Sequence, residues 1–347
     1  YMQQIPIPLP PLHEQHRIVA RIEELFTRLD AGVEALKKIK AQLRRYRQSV
    51  LNYALEGKLT EEWRHAHRGE IERSWVLVGN IEKEQGKKAK GKTEELPEVE
   101  ASDLPELPGG WVWSRIGEIG EVKTGTTPPK SKPEYYGKDY LFYKPTDLNA
   151  EYYTRNSQDG LSSLGLKKAR LLPECSVLVT CIGATIGKTG FIRREGASNQ
   201  QINAIIPYKG LCPQYVYFIC ISPQFQRSII QHASATTLPI LSKRKFETLL
   251  LPIPPNAQQG KIVEEIERRF SVADEIEKTI DQGLKQAERL RQSILKKAFE
   301  GKLVPQDPND EPAEKLLERI KAEKVKQMAA KRVTVSKVRR TQGTEGS

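Results

Sequence analysis

The residues that come closest to recognisable chemistry lie at Gly183-Ala184-Thr185-Ile186-Gly187-Lys188-Thr189. A phosphate loop of the form GxxxxGK(S/T) cradles its anion with backbone amides. Here only three residues separate the two glycines, so the loop lacks the span for that grip. The segment reads instead as a tight turn between two strands, with backbone amides, Thr185 and Lys188 at a surface. Pro10-Pro11-Leu12 and Pro128-Pro129-Lys130 do not fit the (N/D)PP(Y/F/W) motif of an amino methyltransferase, and Pro145-Thr146-Asp147 lacks the acidic partner of a magnesium-dependent nuclease. Cys175, Cys181, Cys212 and Cys220 have no CxxC spacing and sit in apolar contexts, which predicts buried free thiols. His13, His16, His65, His67 and His232 do not cluster with them at ligand spacing. No nucleophile, base and orienter set emerges, so the expectation is no catalytic residue, no metal and no cofactor in this chain.

What remains is charge. The 347 residues carry 56 lysines and arginines against 44 acids, a net +12, which favours a polyanionic partner, nucleic acid foremost. No apolar run approaches the roughly 20 residues that span a bilayer, and a cytoplasmic location is expected. The length allows two or three compact units.

The elements that must carry this charge are announced by a repeat. A shift of 244 positions aligns residues 8–59 with 252–303 without a gap, and about twenty of some fifty positions are identical. Pro8, Pro10, Pro11, Gln15, Phe26 and Asp30 match Pro252, Pro254, Pro255, Gln259, Phe270 and Asp274. The copies close on Arg47-Gln48-Ser49-Val50-Leu51 with Glu56-Gly57-Lys58-Leu59, and on Arg291-Gln292-Ser293-Ile294-Leu295 with Glu300-Gly301-Lys302-Leu303. Apolar residues recur at steps of three, four or seven, from Ile18, Ile22 and Leu25 to Val50 and Ala54, and from Ile262, Ile266 and Phe270 to Ile294 and Ala298. That is a helix with a coiled-coil seam, led in by prolines and stopped at a glycine. About 40 helical residues reach roughly 60 Å, too long to cover a small core alone. Each copy therefore needs a partner of equal length, and the other copy, packed antiparallel, is the economical one. Gly283 weakens the second helix locally.

Residues 82–106 are rich in Lys, Glu, Gly and Pro and read as a linker. From residue 107 the texture changes to short apolar runs between turns, with strands expected at 111–116, 119–123, 176–182, 188–192 and 202–207 and helix within 215–221 and 224–231. Between 107 and 250 there are 18 basic and 10 acidic residues, so about +8 of the charge lies on under half the chain. A turn at 304–312 leads to a short helix with Leu316, Leu317 and Ile320, and then to a basic tail expected to be disordered. The fold class is α+β, a globular mixed α/β domain plus two long antiparallel coiled-coil helices.

In this order the motifs resemble the specificity subunits of type I restriction-modification systems. The likeness rests on PIPLPPLHEQ at 6–15 and its echo at 252–259, the two RQS(V/I)L and EGKL helix ends, LPGGW at 107–111, Gly125-Thr126-Thr127-Pro128, Ser198-Asn199-Gln200-Gln201 and Leu241-Ser242-Lys243. It implies a complete subunit with two target recognition domains, each reading half of a split DNA site, and two helices that set the gap between the halves. It also implies docking of two modification subunits, which use S-adenosylmethionine to methylate adenine, and of restriction subunits that translocate and cleave. None of these reactions belongs to this chain. On this pattern residues 1–12 end an upstream recognition domain, 13–60 form the first conserved helix, 61–106 a connector and linker, 107–255 a target recognition domain, 256–303 the second helix and 304–347 the C-terminal helix and tail. A family member of full size has another such domain before residue 5; a half-type subunit would pair with a second copy.

Phosphate contacts set position on DNA and base-edge hydrogen bonds set sequence. The DNA-contact candidates are the turn, basic and amide residues Lys123, Thr124, Thr126, Thr127, Lys130, Lys132, Lys144, Thr185, Lys188, Asn199, Gln200, Gln201, Ser242, Lys243 and Arg244. Tyr135, Tyr136, Tyr140 and Tyr143 suit either base stacking or core packing, the latter favoured. For the modification-subunit contacts the residues that recur in both copies are the candidates: Arg47, Gln48, Glu56, Lys58, Arg291, Gln292, Glu300 and Lys302; the alternative is that they only shape the helix ends. Two other readings fit the same residues: the recognition half of a single-chain restriction-modification enzyme, and a coiled-coil adaptor whose basic domain binds protein.

Overall fold

The computed structural model describes residues 7–67, 74, 79, 81, 104–148, 152–234 and 238–341. The expected linker lies almost wholly outside these residues.

The repeat becomes two helices of 44 residues each, α1 (Leu12–Leu55) and a second at Asn256–Phe299, packed antiparallel. Each starts the same way. The side-chain amide of Gln15 donates to the Pro10 carbonyl at 2.8 Å, and that of Gln259 to the Pro254 carbonyl at 3.0 Å, so the glutamine occupies a carbonyl that the proline ring keeps out of the helical ladder. Each stops on a glycine in the left-handed region, Gly57 at φ 69° and Gly301 at φ 65°, a conformation that costs other residues more.

The chain divides into two compact units, residues 1–42 with 275–347 and residues 43–274. The boundaries fall inside the long helices, so the globular unit is wider than the 107–255 expected. The reason is burial: Val50, Leu51, Ala54 and Leu55 of the first helix and Ile262, Val263 and Ile266 of the second belong to the same core as Trp111, Leu251 and Ile253. Each such aliphatic side chain removed from water contributes roughly 1.5–3 kcal/mol, which welds the helix ends to the domain.

Within that unit α2 (Glu61–Ala66) follows the first helix, and the domain proper alternates strands with short helices: β1 (Val112–Arg115), α3 (Ile116–Ile119), β2 (Gly120–Thr124), β3 (Tyr136–Tyr143), β4 (Tyr153–Thr154), β5 (Asp159–Leu161), α4 (Ser163–Leu166), β6 (Val177–Thr180), β7 (Thr189–Ile192), β8 (Gly196–Ser198), β9 (Ile202–Pro207), α5 (Pro213–Cys220), α6 (Pro223–His232), α7 (Lys243–Glu247) and β10 (Leu250–Ile253). The main sheet has the order β2-β9-β6-β7-β4; β5-β3-β8 form a smaller one and β1 pairs with β10. Every residue of β6 is buried because both faces of the main sheet are covered. Val177 and Val179 face the core shared with α5 and the long helices, whereas Leu178 faces Tyr143, Leu148, Leu172 and Ile202.

In the unit built from 7–42 and 275–341, the helix pair is laced by ion pairs. Lys40 meets Asp281 at 2.6 Å, Arg291 bonds Asp30 and lies over the Phe26 ring, and Arg17 meets Asp310 at 2.6 Å. In the other unit Arg47 meets Asp274 at 2.6 Å. Asp30 and Asp274 are repeat equivalents, as are Arg47 and Arg291, so the same pair forms twice with the copies exchanged. The expectation of a short C-terminal helix needs correction: the helix runs Ala313–Thr341, 29 residues, into the segment expected to be disordered. Its run of Ala, Lys, Glu, Arg and Met favours helix strongly enough to extend it into the basic segment.

Candidate nucleic-acid interface

Strand register brings the polar turns to one end of the main sheet. β2 ends and β9 begins there, Thr124 opposite Asn203, and β6 ends there with Thr180 opposite Ile202. The β6–β7 connection, residues 181–188, leaves and returns at the same end. It is a longer loop than the tight turn expected, held by Gly183 at φ 99° and Gly187 at φ 87°. The Gly187 amide donates to the Thr180 carbonyl at 2.8 Å, and the Gln226 side-chain amide donates to the Gly187 carbonyl at 2.8 Å. Thr185 stands exposed on this loop and Lys188 is half-buried beneath it.

The four turns are bonded to one another. Gly125 donates to Ile202 at 3.0 Å and Thr126 to Ser198 at 2.9 Å, while Cys181 donates to Gln201 at 2.7 Å and Leu241 to Cys181 at 2.8 Å. Glycine is required at 125: a Cβ there would lie 2.1 Å from the Asn199 carbonyl oxygen and 2.3 Å from that of Ser198. Side chains add a second lattice. Thr124 donates to Asn203 Oδ1 at 2.7 Å, Thr127 donates to Gln200, and Asn199 Nδ2 donates to Gln201 Oε1 at 3.0 Å. Asn199 is buried and Gln200 is exposed, so neighbours in sequence serve frame and surface respectively.

The remaining candidates divide. Lys130 and Lys132 are exposed after the Gly125 turn, Lys132 over the Tyr135 ring at 5.6 Å. Lys144 follows β3, where the Asn199 amide donates to the Tyr143 carbonyl at 3.1 Å, and it pairs with Asp159. Lys123 pairs with Glu121 at 3.5 Å. Ser242 caps α7, accepting from the Lys245 amide at 3.3 Å, and Lys243 pairs with Glu247 at 3.4 Å, with Arg244 exposed beside it. Of the tyrosines, Tyr143 is fully buried with its hydroxyl donating to the Arg194 carbonyl at 2.9 Å, and Tyr136 donates to Pro128 at 2.6 Å. Both are packing residues.

Asp147 accepts from the Lys144 amide at 2.8 Å and the Gln158 amide at 3.0 Å, a turn-forming role. Burial pushes the Cys181 thiol up to about 12 and raises that of Cys220 further, so neither holds a thiolate near neutral pH. Among the described residues no group of His, Cys, Asp or Glu is placed to hold a metal, and no helix is long and apolar enough to cross a membrane.

Two residues at this end escaped the sequence reading. Arg170, exposed, reaches the Thr124 carbonyl at 2.7 Å from 46 positions away, which nothing local announces. Asn203 is buried in the apolar strand Ile202–Pro207, and a lone amide in such a run was a usable sign.

On the helices, the recurring residues keep the same local geometry in both copies. Glu56 pairs with Lys58 at 2.6 Å and Glu300 with Lys302 at 3.0 Å, which raises the Lys58 ammonium and lowers the Glu300 carboxyl. Gln48 and Gln292 are exposed. Arg47 and Arg291 are committed to the interhelical pairs already described.

A mixed α/β domain with a polar turn cluster, carried on a duplicated helix pair, is the build of a recognition module. Residues 108–286 match the family of type I restriction modification DNA specificity domains, over half of the chain, and the chain belongs to that family. It is similar to the EcoDI specificity subunit of Escherichia coli, 25% identical over 328 residues that cover 92% of this chain and 69% of that one. It is also similar to the EcoKI specificity subunit of Escherichia coli strain K12, 27% identical over 338 residues, covering 92% and 64%. The chain thus spans about two thirds of the length of these relatives. Its fold matches a chain of a solved structure described as underlying complex assembly and conformational transition of the type I R-M system, with a TM-score of 0.61 at 21% identity, covering 86% of this chain and 62% of that one. The family is a specificity component and not a catalytic one.

Proposed function

We propose that this chain reads one half of a bipartite DNA site through the turn cluster at the end of the main sheet. The observation that carries this is the convergence of 124–127, 181–188, 199–201 and 239–244 on one another, in a domain that holds most of the net positive charge. Lys130, Lys132, Lys188 and Arg244 supply phosphate attraction, and Thr127, Thr185, Gln200 and Gln201 supply donors and acceptors for base edges. The helix pair spaces this domain from a second one and docks two modification subunits, which bring S-adenosylmethionine; the exposed Gln48, Glu56, Lys58 and their equivalents Gln292, Glu300 and Lys302 form the two docking surfaces. Restriction subunits join the same assembly, in the cytoplasm.

A second recognition domain is supported by the repeat itself. Leu251, Ile253 and Leu55 are 0%, 0% and 6% exposed beneath the domain of this chain, whereas their equivalents Ile7, Leu9 and Phe299 are 73%, 41% and 67% exposed. Leu9 and Phe299 line a cleft of about 630 Å³ that includes Pro8, Ile18, Val19 and Leu295. An upstream domain, or that of a second copy in a half-type assembly, would cover it.

The test is reconstitution with the modification subunit followed by mapping of methylated adenines. A split site whose one half changes when the 124–127 and 199–201 turns are exchanged for those of a relative supports the reading; methylation unchanged by that exchange overturns it.

A further inference from the structure

The repeat places two seats for a globular domain on the helix pair, and their polar groups differ. At the occupied seat the Trp111 indole N–H donates to Gln258 Oε1 at 2.9 Å, and Gln258 Nε2 donates to the Thr60 hydroxyl at 2.9 Å; all three residues are buried. The amide spends its acceptor on the domain and its donor on the helix end. The equivalents at the other seat, by the same 244-position shift, are Glu14 for Gln258 and Val304 for Thr60. Both changes go together: a glutamate has no N–H to give, and the valine has no hydroxyl to receive one.

Glu14 is only 3% exposed, lines the cleft, and its Oε1 has no hydrogen-bond partner. A buried carboxylate oxygen that accepts nothing carries a desolvation cost, recovered only when a donor arrives. A buried carboxylate oxygen is relieved most by a charge-assisted hydrogen bond, so a cationic donor suits it better than the neutral indole N–H that satisfies Gln258 Oε1. A guanidinium fits that requirement.

We infer that the two seats are not interchangeable, and that Glu14 with Val304 selects a recognition domain presenting a cationic hydrogen-bond donor, against the neutral indole face of the domain this chain carries at Trp111. The pair acts as a sorting device, a difference in affinities that directs each domain to its own end. This rests on the proposal that the cleft seats a second domain, in its upstream-domain form and not that of a second copy.

The experiment places an extra copy of residues 107–251 ahead of Pro8 in the full chain, at the spacing the repeat dictates. Its thermal unfolding and the emission of its added tryptophans are compared in the natural background and in the double variant Glu14→Gln with Val304→Thr. The expected result is seating in the double variant alone, with blue-shifted emission and a midpoint higher by roughly 2–4 °C. Equal seating in both backgrounds overturns the sorting role and leaves the seat standing. Seating in neither overturns the seat and the inference together. Val19→Arg in the cleft, added to the double variant, must abolish seating; persistence of the blue shift would also overturn the assignment.

Discussion

At the scale of single residues, the turn cluster is held by backbone proximity as much as by side chains. Gly125 permits the carbonyls of Ser198 and Asn199 to approach within a distance no Cβ tolerates, and carbonyls in a bonded turn cannot swing away as a side chain would. Gly125→Ala should therefore destabilise the domain by about 1–3 kcal/mol, read as a fall in the thermal midpoint, and should weaken DNA binding with it. A lysine at the surface behaves differently. Lys130→Ala should leave stability unchanged but reduce the slope of log K against log salt by about one, as expected for one lost phosphate contact. An unaltered slope would remove Lys130 from the interface. The separation of Asn199 from Gln200 makes the same point: the buried amide keeps the turn, and the exposed one, which accepts from Thr127, stands at the surface.

At the scale of elements, the long helices are joined by a narrow seam and by ion pairs across it. Exposed pairs contribute roughly 0–1 kcal/mol each, so Asp30→Arg or Arg291→Asp alone should lower the midpoint slightly, and the double exchange should restore it; a double variant no better than the singles would show that the pair carries no coupling. Gly283 sits inside the second helix, where a Cβ would come 3.2 Å from Leu36 Cδ1, the movable end of a flexible side chain. Gly283→Ala should stabilise the helix by up to about 1 kcal/mol. The Arg17–Asp310 pair has a defined pH dependence. Arg17, by hydrogen bond and charge, holds the Asp310 carboxyl below its ordinary value. Its stabilising contribution is present above the ordinary aspartate pKa and is lost as pH falls through the depressed one. Carboxyl chemical shifts across an acid titration would show that displacement, and Arg17→Ala should abolish it.

At the scale of the whole molecule, the proposed function makes the repeated helices a spacer and the domain its reader. If the helices set the distance between half-sites, removing the same whole number of heptads from both copies shortens the gap in the methylated site and keeps each half unchanged. An unchanged gap refutes the spacer. The extent of the globular unit matters here, because residues 43–55 and 256–274 are part of its core; deletions confined to 13–42 and 275–299 test spacing, and deletions beyond them test folding.

The amino-acid sequence by itself determined the repeat and the start and stop of its two long helices, because proline, glycine and apolar periodicity act over a few neighbouring residues. The strand at 202–207 and the helices near 215–221 and 224–231 were legible for that reason. β3 was not: its tyrosines and charges lack a clean alternation, and only pairing with β5 and β8 makes it a strand. The candidate residues were likewise readable as types, but not their division of labour. Whether Lys144 faces solvent or Asp159, whether Asn199 or Gln200 is exposed, and which distant arginine reaches Thr124 were decided by the tertiary structure, since these depend on strand register that brings residues tens of positions apart into contact. The repeat shows the limit most plainly. Sequence aligned Glu14 with Gln258, and only the fold revealed that Gln258 is bonded through both its oxygen and its nitrogen while Glu14 Oε1 has no partner.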